Sequence, residues 1–292
     1  MPGAAEITTH TLETAEADIV YDVHGPLPTA DGRPPLVMIG QPMCAEGFAA
    51  LVPFFPDRTV VTYDVRGLGR STVRRDGRTD HTPVDNAADV HAVIEAVGGG
   101  PVDLLGSSGG AITALELVRA HPGDVRVAVA HEPPLIGLLP DADDARAAEA
   151  AVQRRYHEGG FGAGMAAFIA MTSWQGEFTA AYLAQPAPEP AAFGLPAEDD
   201  GGRDDALLSG ISNAVTEYEP DVDALRSGST RVVVAHAEES GANLTGRASH
   251  ALATLLGQES TEFPSHHGGF MGPERGGRPE AFAARLREVL AD

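Results

Sequence analysis

The chain has 292 residues, which suffices for one large α/β domain or for a core with an inserted subdomain. Apolar residues make up 43% of it, as is typical of a globular protein. The formal net charge is −22, from 20 Lys and Arg against 42 Asp and Glu. Such a field repels phosphate backbones and anionic lipids, so we expect neither a nucleic-acid nor a membrane partner.

Cys44 is the only cysteine, which excludes an intrachain disulfide and a cysteine-based structural zinc site. Residues 1–20 show no basic segment followed by an apolar run. No stretch approaches the length of a membrane-spanning segment. We therefore expect a soluble, cytoplasmic protein, with homo-oligomerisation left open.

Short β-branched runs alternate with longer helical patterns, which predicts a mostly parallel sheet flanked by helices, the α/β class. The predicted strands, in chain order, are residues 18–23, 36–39, 58–63, 102–105, 125–130, 231–235 and 259–263. The predicted helices of this core are residues 86–97, 111–120 and 282–290.

Residues 137–212 break this alternation, because they contain helical patterns at 145–156 and 165–174 but no strand pattern. A Pro/Ala-rich segment and an acidic, glycine-rich loop follow. We predict a core formed by residues 1–136 and 213–292, with residues 137–212 inserted as a helical lid over the carboxyl edge of the sheet.

Residues 106–110 read Gly-Ser-Ser-Gly-Gly, directly after a predicted buried strand and before a predicted helix. This is the strand–turn–helix context that a nucleophile elbow requires. Glycines two positions either side of Ser108 allow strand and helix to approach closely, whereas Ser107 lacks that symmetric frame. The alternative is a glycine- and serine-rich helix cap without chemistry. We predict that Ser108 is a nucleophile.

Four segments occur in a characteristic order: the loop after Ile39, the turn at residues 64–71, the elbow at 106–110 and the late His-Gly-Gly-Phe at 267–270. Together they resemble the α/β-hydrolase superfamily over essentially the whole chain. The resemblance implies the α/β-hydrolase fold and a serine hydrolase, but says little about the substrate. The turn at 64–71 we interpret as structural, with an Asp–Arg tie.

Within this resemblance, an oxyanion hole combines the N–H after the nucleophile, here of Gly109, with an N–H from the loop near Gly40 or Gln41. The catalytic base comes last in the chain. His267 matches that position in the loop after the last predicted strand, with His266 as its exposed neighbour. The competing reading is a histidine-rich surface loop.

The acid of the triad is less regular. The position at which the family usually carries this acid falls on Ser240. The acid is therefore either Glu238 or Glu239, with a longer reach, or Glu132 at the end of the strand after the elbow helix. Some haloalkane dehalogenases and the zearalenone lactonases carry their acid at this strand. The lactonases also resemble this chain in a Ser-Ser-Gly elbow and a His-Glu-x-Pro segment. We predict Glu132, which could otherwise only cap a turn.

Met165, Phe168, Met171 and Trp174 form an apolar stripe in the predicted lid. We interpret most of it as helix packing, but predict that Trp174, the only tryptophan, contacts substrate. An aromatic lid suits a hydrophobic ester or lactone. Likeness to the zearalenone lactonases makes a resorcylic macrolactone one specific expectation.

The predicted reaction proceeds through an acyl-enzyme and needs no metal or organic cofactor. The alternatives are a carbon–carbon bond hydrolase or cofactor-free perhydrolase with the same triad, and a non-catalytic ligand-binding protein of the same fold. Epoxide hydrolysis and dehalogenation normally require Asp where this chain has Ser108.

Overall fold

A computed structural model describes residues 6–30, 32–74 and 81–291. Its central feature is a sheet of nine strands within those residues: β1 (Ile7–Glu13), β2 (Ala17–His24), β3 (Leu36–Gln41), β4 (Val60–Tyr63), β5 (Thr72–Val73), β6 (Val102–Ser108), β7 (Val125–His131), β8 (Arg231–Ala237) and β9 (Thr261–Phe263). The order is β1-β2-β4-β3-β6-β7-β8-β9, with β5 beside β2. All pairs are parallel except those that β2 forms with β1, β4 and β5.

Helices cover both faces of this sheet: α1 (Pro83–Ala96), α2 (Gly109–Ala120), α3 (Ala142–Ser173), α4 (Ala180–Leu183), α5 (Asn213–Thr216), α6 (Val222–Ser227), α7 (Leu244–Leu255) and α8 (Pro279–Ala291). Strand β3 shows how the layers form. Leu36 and Met38 point to the cluster that contains α8, whereas Val37 and Ile39 point to the cluster of α1 and α2. This two-residue alternation buries both faces of the strand, and the predicted α/β architecture is confirmed.

The predicted core elements are all present, with shifted ends. Two predicted strands begin two residues late, at Val60 and Thr261, while β3 and β6 extend to Gln41 and Ser108. Strands β1 and β5 and helix α7 were not predicted. Strand β1 lies at the sheet edge with almost every side chain exposed, so it lacks the buried pattern by which a strand is recognised.

Between β7 and β8 the described chain contains helices and loops but no strand. The two helical patterns at 145–156 and 165–174 are confirmed as the two parts of α3, which are separated at Gly160, where φ/ψ is 76°/−169° and therefore not helical. Helices α5 and α6 lie beyond residue 212, so the helical region runs past the predicted limit of the lid; the division at 137–212 itself remains a prediction. No helix in the described ranges is long and apolar enough to span a bilayer.

Candidate active site

Ser108 ends β6 and Gly109 begins α2, so the candidate nucleophile stands at the turn between them. Its backbone has φ 58° and ψ −126°, a conformation that is costly for any residue with a Cβ. The flanking glycines are required sterically. A Cβ on Gly106 would lie 2.5 Å from the carbonyl oxygen of Gly110, and one on Gly110 would lie 2.4 Å from that of Ile39.

A cavity of about 440 Å³ opens beside Ser108. This volume falls in the range of sites for small organic ligands. The sheet side contributes Gln41, Ser108 and Gly109, and the loop after β9 contributes His266 and His267. Its opposite wall is formed by side chains of the helical region, which include Val152, Phe168, Met171 and Val215.

The two candidate loop donors for an oxyanion hole occupy different positions. In the parallel register of β3 and β6, Gly40 lies opposite Ser107 and Gln41 lies opposite Ser108. Gln41 lines the cavity and packs against Gly109, because a Cβ built on Gly109 would lie 3.0 Å from both the Cβ and the carbonyl oxygen of Gln41. Gly40 is not part of the cavity wall. Of the two candidates, Gln41 is thus the one that borders the cavity, and the oxyanion hole itself stays a prediction.

The two neighbouring histidines differ in their bonding. His266 is held by the backbone on both ring nitrogens: Nδ1 accepts the N–H of Gly268 at 3.0 Å, and Nε2 lies 3.1 Å from the carbonyl oxygen of Arg275. Among the described residues, His267 forms a hydrogen bond only through Nδ1, which lies 2.6 Å from Oε2 of Glu132. Nε2 of His267 is thus left for chemistry in the cavity.

Glu132 directly follows β7 and is fully buried, with a positive φ of 52°. Its Oε1 accepts the N–H of Ala237 at 3.2 Å, and its own N–H donates to the carbonyl of Ala235. Burial raises the pKa of Glu132, but the hydrogen bond and charge of His267 outweigh it and bring the pKa to about 2. The carboxylate therefore stays ionised and can orient an imidazolium.

Of the three residues around the usual acid position, two have exposed carboxylates that do not bond His267 within the described structure, and the third lies beside Glu132. The carboxylate of Glu238 is exposed and accepts from Arg278 and from the N–H of Ser265. Glu239 is exposed at the cavity edge. The hydroxyl of Ser240 is buried beside Glu132 and contributes to lowering its pKa. Of the three predicted acids, Glu132 alone contacts His267 within the described residues.

Trp174 is not in the cavity wall, although Ser173 and Gln175 on either side are. The centroid of its ring lies 5.0 Å from that of Tyr182, and its indole N–H donates to the backbone carbonyl of Glu177. The chain leaves the helical conformation at Trp174, where φ/ψ is −64°/133°, so the stripe of α3 ends before it. The contact of Trp174 with substrate stays a prediction.

Two further residues near the site were not singled out from the sequence. His131 is fully buried between Ser107, whose hydroxyl lies 3.0 Å from Nδ1, and three phenylalanine rings. Glu149 belongs to the cavity wall and accepts a hydrogen bond from Thr216. A signal for Glu149 existed, because it lies four positions after Ala145 and three before Val152, and both of these residues are buried in α3.

Residues 34–173 match the family described as the alpha/beta hydrolase fold. The sheet order, the elbow and this match define the fold of the protein: the chain has the α/β-hydrolase fold.

Among curated proteins, the chain is similar to the uncharacterized hydrolase YraK of Bacillus subtilis (strain 168), with 34% identity over 136 residues, or 46% of this chain. It spans about half the length of that relative, 47%.

Solved structures extend the likeness of fold to nearly the whole chain. A hydrolase from Pseudomonas aeruginosa PA01 superposes with a TM-score of 0.64 at 19% identity, covering 97% of this chain and 98% of that one. The enol-lactonase from Burkholderia xenovorans LB400 superposes with a TM-score of 0.62 at 17% identity, covering 97% and 100%. At these identities the likeness concerns the fold alone.

Proposed function

We propose that this protein is a serine hydrolase that cleaves a hydrophobic carboxylic ester or lactone through an acyl-enzyme on Ser108. The observation that carries the proposal is the Glu132–His267 pair, 2.6 Å apart, at a cavity whose wall also contains Ser108 and Gly109. An ionised acid bonded to an imidazole, together with a strained serine at a helix start in the same cavity, supports acyl transfer, which uses these three groups.

In the first step Oγ of Ser108 attacks the substrate carbonyl carbon while Nε2 of His267 takes the hydroxyl proton. The oxyanion is stabilised by the backbone N–H groups of Gly109 and Gln41. Collapse of this intermediate breaks the bond to the leaving alkoxide, which receives the proton from His267. Glu132 stabilises the imidazolium through Nδ1.

In the second step a water molecule attacks the acyl carbon and gives its proton to Nε2 of His267. The acid product leaves as Ser108 recovers its proton. For a lactone, alcohol and acid remain joined in one opened chain. An enol-lactonase shares this fold, and the largely apolar surface of the cavity supports a hydrophobic substrate. A resorcylic macrolactone remains the specific candidate within it.

The test is covalent labelling with a fluorophosphonate together with turnover of an ester and lactone panel that includes macrolactones. We expect labelling and turnover in the wild type and neither in Ser108→Ala. Ser107→Ala is the matched control, since it removes the adjacent hydroxyl, which bonds His131 instead of facing the cavity. Labelling of the Ser108→Ala variant, or turnover of an ester or lactone by that variant, contradicts the proposal.

A further inference from the structure

The cavity contains an ionisable group that the proposed reaction does not use. Glu149 lies on α3, in the wall contributed by the helical region, and is partly buried there. It does not belong to the pair at the elbow. A carboxyl group in an otherwise mostly apolar wall has a desolvation cost, so its retention there needs a reason.

The position of Glu149 relative to the elbow follows from α5. Val215 lies against Gly109, since a Cβ on that glycine would be 3.2 Å from Cγ1 of Val215. The next residue, Thr216, donates to Oε2 of Glu149 at 3.2 Å. The carboxyl group is therefore connected through one short helix to the residue after the candidate nucleophile, in the same cavity.

One oxygen of this carboxyl group is available to a ligand. Within the described residues, Oε2 receives the hydroxyl of Thr216, and no described residue donates to Oε1. Nearby, Gln153 and Asn213 also line the cavity, and the side-chain N–H of Gln153 donates to Oδ1 of Asn213 at 2.6 Å. Glu149 adds to this polar end an acidic acceptor whose Oε1 receives no hydrogen bond from the described residues.

The charge of the wall constrains what can bind. Glu149 and Glu239 both line the cavity, and no arginine of the described ranges does. Acidic groups in the wall disfavour a substrate that carries a carboxylate and favour a group that donates hydrogen bonds. Burial, with the nearby Glu217, raises the pKa of Glu149 to about 7, although Thr216 and Arg146 act the other way.

We propose that Glu149 is a substrate-binding residue that accepts a hydrogen bond from a hydroxyl group on an uncharged ester or lactone, so that the protein selects hydroxylated substrates that lack a carboxylate. This inference rests on the proposed function, because it names the substrate class of the same cavity. Binding the hydroxyl at one end would place the carbonyl at Ser108 at the other.

The experiment compares four p-nitrophenyl esters of 3-phenylpropanoic acid. One is the unsubstituted parent, two carry a hydroxyl group at ring position 3 or ring position 4, and one carries a carboxylate at ring position 4. In the wild type we expect kcat/KM about tenfold or more above the parent for at least one hydroxylated ester, since hydrogen bonds to charged groups have this strength. The carboxylated ester should be about tenfold or more below the parent.

The variants separate binding from folding. Glu149→Leu should bring the hydroxylated-to-parent ratio to within about threefold of one, and any change in turnover that is common to both esters cancels in this ratio. Glu149→Gln, which keeps a neutral acceptor, should retain part of the ratio. Glu158→Gln, an exposed acid on the same helix, should leave the ratio unchanged.

The pH dependence of this ratio supplies an independent readout, because titration of the triad affects both esters equally and cancels. With the pKa of Glu149 at about 7, the ratio should rise between about pH 6 and about pH 8 in the wild type and stay flat in Glu149→Gln. The inference is overturned if the hydroxylated-to-parent ratio is near one in the wild type, or if neither Glu149 variant changes it. Turnover that depends on Ser108 would in that case leave the proposed function standing. Absence of turnover and labelling in the wild type overturns both.

Discussion

Three non-glycine residues with positive φ occur in the described chain: Ser108, Glu132 and Ser265, at 58°, 52° and 76°. All three border the candidate site. Ser108 ends β6, Glu132 follows β7, and Ser265 lies two residues before His267. Each such conformation costs about 1–3 kcal/mol and persists only where the surroundings enforce it. Their clustering supports a site whose parts are held in place before substrate binds.

The choice of Glu132 as acid leads to a kinetic prediction. Glu132→Gln keeps the size of the side chain but removes the charge that stabilises the imidazolium, so kcat for an ester should fall by roughly 10³- to 10⁴-fold. Steady-state kinetics at saturating ester measures this. Glu238→Gln and Glu239→Gln are the controls and should stay within about threefold of wild type; the reverse pattern would transfer the role to one of them.

His131 predicts a pH dependence of stability. Burial lowers its pKa to about 4, and His267 and His236 add to this, although the charge of Glu132 opposes it. The unfolded chain has a pKa near 6.5, so it binds more protons than the folded chain between about pH 6.5 and about pH 4. The free energy of unfolding should therefore decrease as the pH falls through that window, by about 2–3 kcal/mol from this group.

His131→Phe removes this titration while matching the surrounding phenylalanine rings. Urea unfolding of both proteins at several pH values gives the difference in stability. The free energy of unfolding of the wild type should decrease relative to that of His131→Phe as the pH falls from about 6.5 to about 4.5. Glu149, with its raised pKa, acts in the opposite direction in the same window, but it is present in both proteins and cancels. Parallel curves would mean that His131 titrates normally.

At the scale of elements, the elbow depends on the close approach of β3 and the start of α2. The atoms that a Cβ on Gly110 would meet are backbone atoms of Ile39, at 2.4 Å and 2.7 Å, which cannot move aside as a flexible side chain could. The glycines of the motif therefore set the distance between two elements, and through it the positions of Ser108 and Gly109.

Gly110→Ala should accordingly destabilise the protein by about 1–3 kcal/mol and slow the labelling of Ser108, because the start of α2 must move away from β3. Gly123→Ala is the matched control, as a Cβ there meets no atom within 4 Å. Thermal unfolding and the rate of fluorophosphonate labelling measure the two effects. Equal behaviour of both variants would show that the close approach is not required.

At the scale of the whole molecule, the net charge of −22 is the dominant feature. All 20 basic residues are arginines, and many are paired with Asp or Glu, as Arg66 is with Asp89. The excess acids remain uncompensated, and their mutual repulsion opposes the compact state. The same field would disfavour anionic substrates approaching the cavity, in agreement with the acids in its wall.

Screening should therefore stabilise the protein. Raising NaCl from about 10 mM to about 200 mM shortens the Debye length from about 30 Å to below 10 Å, and Tm should increase by about 2–4 °C. Calorimetry at fixed pH measures the shift. KCl at equal ionic strength should give the same increase, which separates screening from specific sodium binding. A decrease in Tm would mean that the ion pairs lost to screening outweigh the repulsion.

The features that local sequence determined are those in which neighbours along the chain interact. The elbow at 106–110 could be predicted because its strand, turn and helix are contiguous, and the buried strands could be predicted from apolar runs of the right length. Edge strand β1 could not, since most of its side chains face solvent and carry no pattern.

Tertiary structure alone decided which distant side chains meet. Glu132 and His267 are 135 residues apart, and three acids were compatible with the sequence until packing placed one of them at 2.6 Å. The same holds for the cavity wall, where Trp174 was expected and Glu149 was found. Sequence spacing orders residues along one helix or strand, but contact between elements depends on how their buried faces pack, which no single segment encodes.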